Sequence, residues 1–167
     1  MRSCSSLLTH RSASALGMWL ALSALLLSLS GCAALRAAAA RNAHVSERTT
    51  QHVYAAPLVA VWPEARALLF EMGYTVRDTG EAGGMTLETE WLLEGDKATR
   101  FLVQGISVQA NMSKVHFTLA VKDPETGAMA TERSWEAEWR LIQRIDPASA
   151  MQIRAEAERE ADAVRAQ

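Results

Sequence analysis

KVHFTLAVK, residues 114 to 122, alternates large apolar side chains at Val115, Phe117, Leu119 and Val121 with Lys114, His116, Thr118 and Lys122. Successive strand residues point to opposite faces, so a period of two places all four apolar groups on one surface. A strand with one apolar and one polar face belongs to an antiparallel sheet covered on a single side. The rest of the chain must supply that cover.

Downstream, Asp123-Pro124-Glu125-Thr126-Gly127 is turn chemistry, and Ala128 to Arg133 returns as a strand. Upstream, the chain turns near Asn111. In Thr99 to Gln109 the apolar positions are Phe101 and Val103, then Ile106 and Val108, so the parity changes across Gly105. A one-residue slip would expose half of that set, and a β-bulge is therefore expected at Gly105. Gly95-Asp96 is the preceding turn. Met85 to Leu93 reads as one strand, with Met85, Leu87, Thr89, Trp91 and Leu93 on one face and Thr86, Glu88 and Glu90 on the other. Asp78 to Gly84 is a loop, and Gln51 to Ala55 and Tyr74 to Asp78 are short strands.

Helical spacing relates Leu58, Val61, Trp62, Ala65, Leu68, Leu69 and Met72, with Gly73 as the stop. Pro63 must fall in the first turn or mark a kink. Ser134 is placed to cap a helix carrying Trp135, Trp139, Ile142 and Ile145, and Asp146-Pro147 starts another. In Ala148 to Arg165 only Met151, Ile153 and Val164 are large and apolar, so this helix is expected to be loosely held. Together these elements predict a two-layer α+β domain, an antiparallel sheet of about five or six strands packed against helices.

The chain has 167 residues, 49% of them hydrophobic and 22% charged, enough for one core. A net charge of −2 and a pI near 6.1 provide no broad basic surface, which argues against nucleic acid as a partner.

The amino terminus has a different character. Arg2, His10 and Arg11 precede Leu16 to Leu29, an uncharged apolar run of 14 residues. Crossing a bilayer takes about 20 such residues, whereas a shorter run suits a signal peptide. Leu29-Ser30-Gly31-Cys32 follows, and this motif resembles the lipobox of bacterial lipoproteins. The resemblance implies recognition of Leu29, Ser30 and Gly31 by the signal peptidase. It also implies removal of residues 1–31, a diacylglycerol on the Cys32 sulfur and an acyl chain on the new amino group. Membrane association through that anchor follows, with Cys32 the only mature cysteine and no intramolecular disulfide. Losing Arg2 and Arg11 from the 17 basic residues, against 19 acidic ones, takes the net charge from −2 to −4. Residues 32–50 then read as the lipidated cysteine and an alanine-rich tether reaching at most about 60 Å. Residues 51–146 read as the α+β domain and 147–167 as a C-terminal helix.

The order strand, helix, hairpin-rich sheet, helix resembles the helix-grip domain of BamC-type lipoproteins, which accompany the outer-membrane β-barrel assembly machine. The residues that carry it are Val61-Trp62, Gly73-Tyr74 and Thr89-Glu90-Trp91. The resemblance implies an envelope protein partner and a place at the outer membrane, on the periplasmic face. Ala33 agrees with that placement, since an Asp after the cysteine favours inner-membrane retention in some bacteria.

Catalytic patterns are absent from the sequence: no GxSxG, phosphate-binding loop or CxxC occurs, and His44, His52 and His116 lack ligand spacing. Glu88 and Glu90 share a strand face, which reads as a solvated surface facing Lys114 or Lys122. No catalytic residue, metal or cofactor is expected beyond the covalent lipid on Cys32. Trp62, Trp91, Trp135 and Trp139 fall on apolar faces and are expected in the core, with Trp135 and Trp139 also candidates to line a groove for a ligand or partner. The expected function is that of a non-catalytic envelope lipoprotein acting as a binding or accessory module. The alternative is a carrier holding a lipid or small apolar ligand between helix and sheet.

Overall fold

The structure, a computed structural model, describes residues 33–78 and 85–167. Residues 1–31, with Leu29, Ser30 and Gly31, and Cys32 lie outside the described residues, as does most of the expected loop from Asp78 to Gly84. The chain runs through helix α1 (33–51), α2 (Leu58–Glu71), β1 (Val76–Asp78), β2 (Met85–Thr89), β3 (Leu92–Glu94) and β4 (Lys97–Gln109). It continues through β5 (Met112–Lys122), β6 (Met129–Arg133), α3 (Trp135–Ile145) and α4 (Pro147–Arg165). The strands form one antiparallel sheet in the order β1-β2-β4-β5-β6, with β3 paired to the start of β4. The α+β architecture is the expected one.

β5 shows why. Val115 and Phe117 are buried on its inner face, and α2 and α3 lie across that face of β4 and β5. Phe117, Leu69, Leu87, Leu141, Ile142, Val61 and Val103 are the largest fully buried apolar side chains and fill the space between helices and sheet. Tyr74, Phe101 and Phe117 meet edge to face in a row, with centroids 5.0 and 6.1 Å apart.

Four readings need correction. The ladder passes Gly105 without a break, pairing it with Val115, and the irregularity falls between Ser107 and Gln109. Gly105 has another duty: a Cβ there would lie 2.8 Å from Leu58 Cδ1 and 2.9 Å from Trp62 Cζ3. The missing side chain lets α2 descend onto the sheet, and Ile106 and Val108 simply point to the open face. Second, Met85 to Leu93 is interrupted after Thr89. Thr89 Oγ1 turns in to accept a bond from the Phe101 amide at 2.8 Å, and Glu90 N donates to Thr75 O at 2.9 Å. Trp91 and Leu93 therefore leave the core and are 37% and 71% exposed. Third, Gln51 ends α1, and only Tyr54 of the expected first strand pairs, with Ser113. Pro63 lies well inside α2, where it leaves the Val59 carbonyl without its usual donor four residues on.

The fourth correction concerns the ends. Residues 33–50, expected as a solvated tether, are helical and pack along α4, which is itself firmly seated. Arg48 reaches Glu156 (3.4 Å), His44 reaches Glu160 (2.8 Å) and Arg41 reaches Glu158 (3.3 Å), so partner numbers mostly rise as α1 numbers fall and the helices run antiparallel. Ala37 on α1 and Ala157 and Ala161 on α4 are completely buried. Small side chains bury little area individually but allow two helices to approach closely, which a count of large apolar residues overlooks. Ala150 and Ile153 join α4 to the interior.

The expected start signals hold. Ser134 Oγ accepts from Ala137 N and Asp146 Oδ1 accepts from Ser149 N, with Pro147 in the first turn of α4.

Candidate functional site

Ser134 fixes the start of α3, and four-residue spacing then places Trp135 and Trp139 on the same side of it, one turn apart. That side looks toward α1 and α4. Ala137, Glu138, Leu141 and Ile142 take the core side instead. The two indoles, Arg41, Asn42 and Val45 of α1, and Arg154 and Glu158 of α4 line a groove of about 240 Å³. It is bounded by three helices and does not open between helix and sheet. Arg154 lies over the Trp139 ring, its guanidinium carbon 5.9 Å from the centroid. Arg41 and Glu158 form a half-exposed pair at 3.3 Å.

The tryptophans are thus brought together as a groove wall. Trp62 and Trp139 also pack against the core. Trp91 stands apart beneath Arg100, whose guanidinium is 4.7 Å from its centroid. Asn42, Val45, Arg154 and Glu158 carry no mark in the sequence, and Arg41 reads there as part of a solvated linker beside the anchor, because residues 32–50 read as a tether and the wall they contribute is invisible. One signal was present: the basic residues at 41, 44 and 48 match the acidic ones at 156, 158 and 160.

The other chemical candidates resolve into structure. Glu88 pairs with Arg100, and Glu90 accepts from Arg77 Nη2 at 2.6 Å, so these carboxylates are tied to separate cations. Glu138, 3% exposed, accepts from Arg133 Nε at 2.8 Å and from the Phe117 amide at 3.1 Å. Arg133 also donates to Thr50 O at 2.8 Å, which fastens the end of α1 to β6 and α3. Burial pushes the neighbouring Tyr54 hydroxyl far up, and the charges of Glu138 and Asp146 push it the same way.

His52 packs edge-on to Tyr54 with centroids 4.7 Å apart, and its Nε2 is 3.8 Å from Asp146 Oδ2. Burial lowers its pKa, outweighing the raising effect of Asp146. His116 on the open face is lowered as well, by burial first and then by Arg133. Among the described residues no group of three or more His, Cys, Asp or Glu side chains is arranged to hold a metal ion. None of the described helices is long and apolar enough to cross a membrane.

Compared with protein-family models, curated proteins and solved structures, the chain matches none.

Proposed function

We propose that this chain is a non-catalytic lipoprotein of the bacterial envelope, acylated at Cys32 and held on the periplasmic face of the outer membrane, with its α+β domain serving as a binding or accessory module. The observation that carries the reading is Leu29-Ser30-Gly31-Cys32 directly after 14 uncharged apolar residues. A lipidated cysteine with three acyl chains, each buried methylene contributing about 0.8 kcal/mol, anchors far more firmly than the marginal hold of one chain. Helix α1, described from residue 33, carries the chain from the neighbourhood of Cys32 to the domain.

Intact-mass analysis of protein extracted from membranes tests the reading. The expected species begins at residue 32 and carries diacylglycerol and an acyl chain, and Cys32→Ser remains unprocessed. A bare Cys32, or an intact leader on the wild-type protein, overturns it.

A role beside the barrel-assembly machinery rests on the BamC-type resemblance alone, and crosslinking in intact cells tests it through the neighbours captured. The packing lends no support to the carrier alternative where that reading places its ligand, since apolar side chains fill the helix–sheet interface.

A further inference from the structure

We infer that the groove between α1, α3 and α4 binds an acidic sugar unit, a pyranose ring carrying a carboxylate. This inference rests on the envelope reading above and assigns a ligand class to the binding module. It begins from what each wall of the groove asks of an occupant.

Trp135 offers indole surface to the flat C–H face of a ring, one helical turn from Trp139, which lines the groove with Arg154 over its ring. Arg154 can only donate hydrogen bonds, and among the described residues its one recorded partner is the Trp139 ring, so it asks for an anionic acceptor. Glu158 can only accept and asks for a hydroxyl or amide N–H. Its partner Arg41 is held at 3.3 Å with both side chains over 40% exposed, a weak pair that exchanges readily. The exposed amide of Asn42 both donates and accepts. A ring that presents hydroxyls and one carboxylate answers all of these demands together.

Other classes answer fewer. The groove of about 240 Å³ has no room for a long acyl chain. Its walls are side chains of helices whose main-chain groups are already bonded, so a peptide backbone finds no ladder to join. A bare phosphate offers no ring face to the indoles that line the groove. Because α1 contributes Arg41, Asn42 and Val45, the site exists only while that helix is docked on α4.

The test uses the detergent-solubilised mature protein and NMR of the tryptophan indole N–H signals. The probes are the disaccharide of N-acetylglucosamine and N-acetylmuramic acid, glucuronic acid, and carboxylate-free diacetylchitobiose. An acidic probe should shift the Trp135 and Trp139 signals and spare those of Trp62 and Trp91, with Kd about 0.1–1 mM for a ligand this small. Diacetylchitobiose should bind at least about tenfold more weakly, as should every acidic probe to Arg154→Gln. Arg154 is exposed, so that variant retains the fold, and Asn42→Ala provides a second. A response to the muramic disaccharide alone points to peptidoglycan as the source, and a response to glucuronic acid alone points to a uronic polymer. Equal binding of the neutral probe, no loss in Arg154→Gln, or no shift at about 10 mM overturns the inference. Failure here leaves the acylation of Cys32 standing, because intact mass decides that separately.

Discussion

Gly105 sits where α2 crosses the sheet, and Leu58 and Trp62 occupy the volume a Cβ would need. Gly105→Ala should lower stability by about 1–2 kcal/mol, because two flexible side chains must give way in a packed layer. Thermal unfolding should record a loss of about 3–6 °C, whereas alanine at exposed Ser107 should change it little. His52 carries a second consequence. Its folded pKa lies below the ordinary 6.5, so between those two values the unfolded chain binds more protons than the folded one. The associated stability is present above pH 6.5 and is lost as the pH falls toward the folded value. His116 acts in the same direction. Melting temperature should therefore fall between pH 7 and pH 5, and His52→Gln should flatten part of that slope; an unchanged slope would remove His52 from the account.

Among the described helices, α1 has the least buried apolar material to hold it. Completely buried Ala37 and a row of partly exposed ion pairs secure it to α4, and surface pairs each contribute under about 1 kcal/mol. It should be the first helix to open. Glu156→Lys places a cation beside His44 and Arg48, and a change of about 1.4 kcal/mol makes opening tenfold more frequent. Hydrogen exchange should then accelerate about tenfold along 33–51 and leave β4 and β5 unaffected. The effect should diminish as added salt screens the charges. Alternation made β5 readable in the sequence, and capping side chains made the starts of α3 and α4 readable, because those signals are local. Nothing local distinguishes an alanine-rich helix docked on a partner from one left in water. The partners of Arg41, His44 and Arg48 lie more than a hundred residues later, at Glu158, Glu160 and Glu156 of α4, and the groove wall that α1 provides was hidden for the same reason.

For the molecule as a whole, α1 sets reach. A helix of 33–51 rises about 28 Å at 1.5 Å per residue, against the roughly 60 Å an extended tether could cover. If Cys32 is acylated, the domain is carried on a stiff strut, braced by α4, instead of a slack lead. Ending the chain before Pro147 should remove that brace together with Ala150 and Ile153 from the interior. A loss of about 10 °C or more in the thermal transition is expected, and an unchanged transition would show that α4 is dispensable. Sequence alone determined the antiparallel sheet with one covered face, the helix caps and the motif at Cys32, since each depends on neighbours a few residues apart. The tertiary structure decided where Gly105 is needed, which tryptophans leave the core, and how distant helices meet around Trp135 and Trp139. Those outcomes depend on close approach between segments far apart in the chain, which no local pattern encodes.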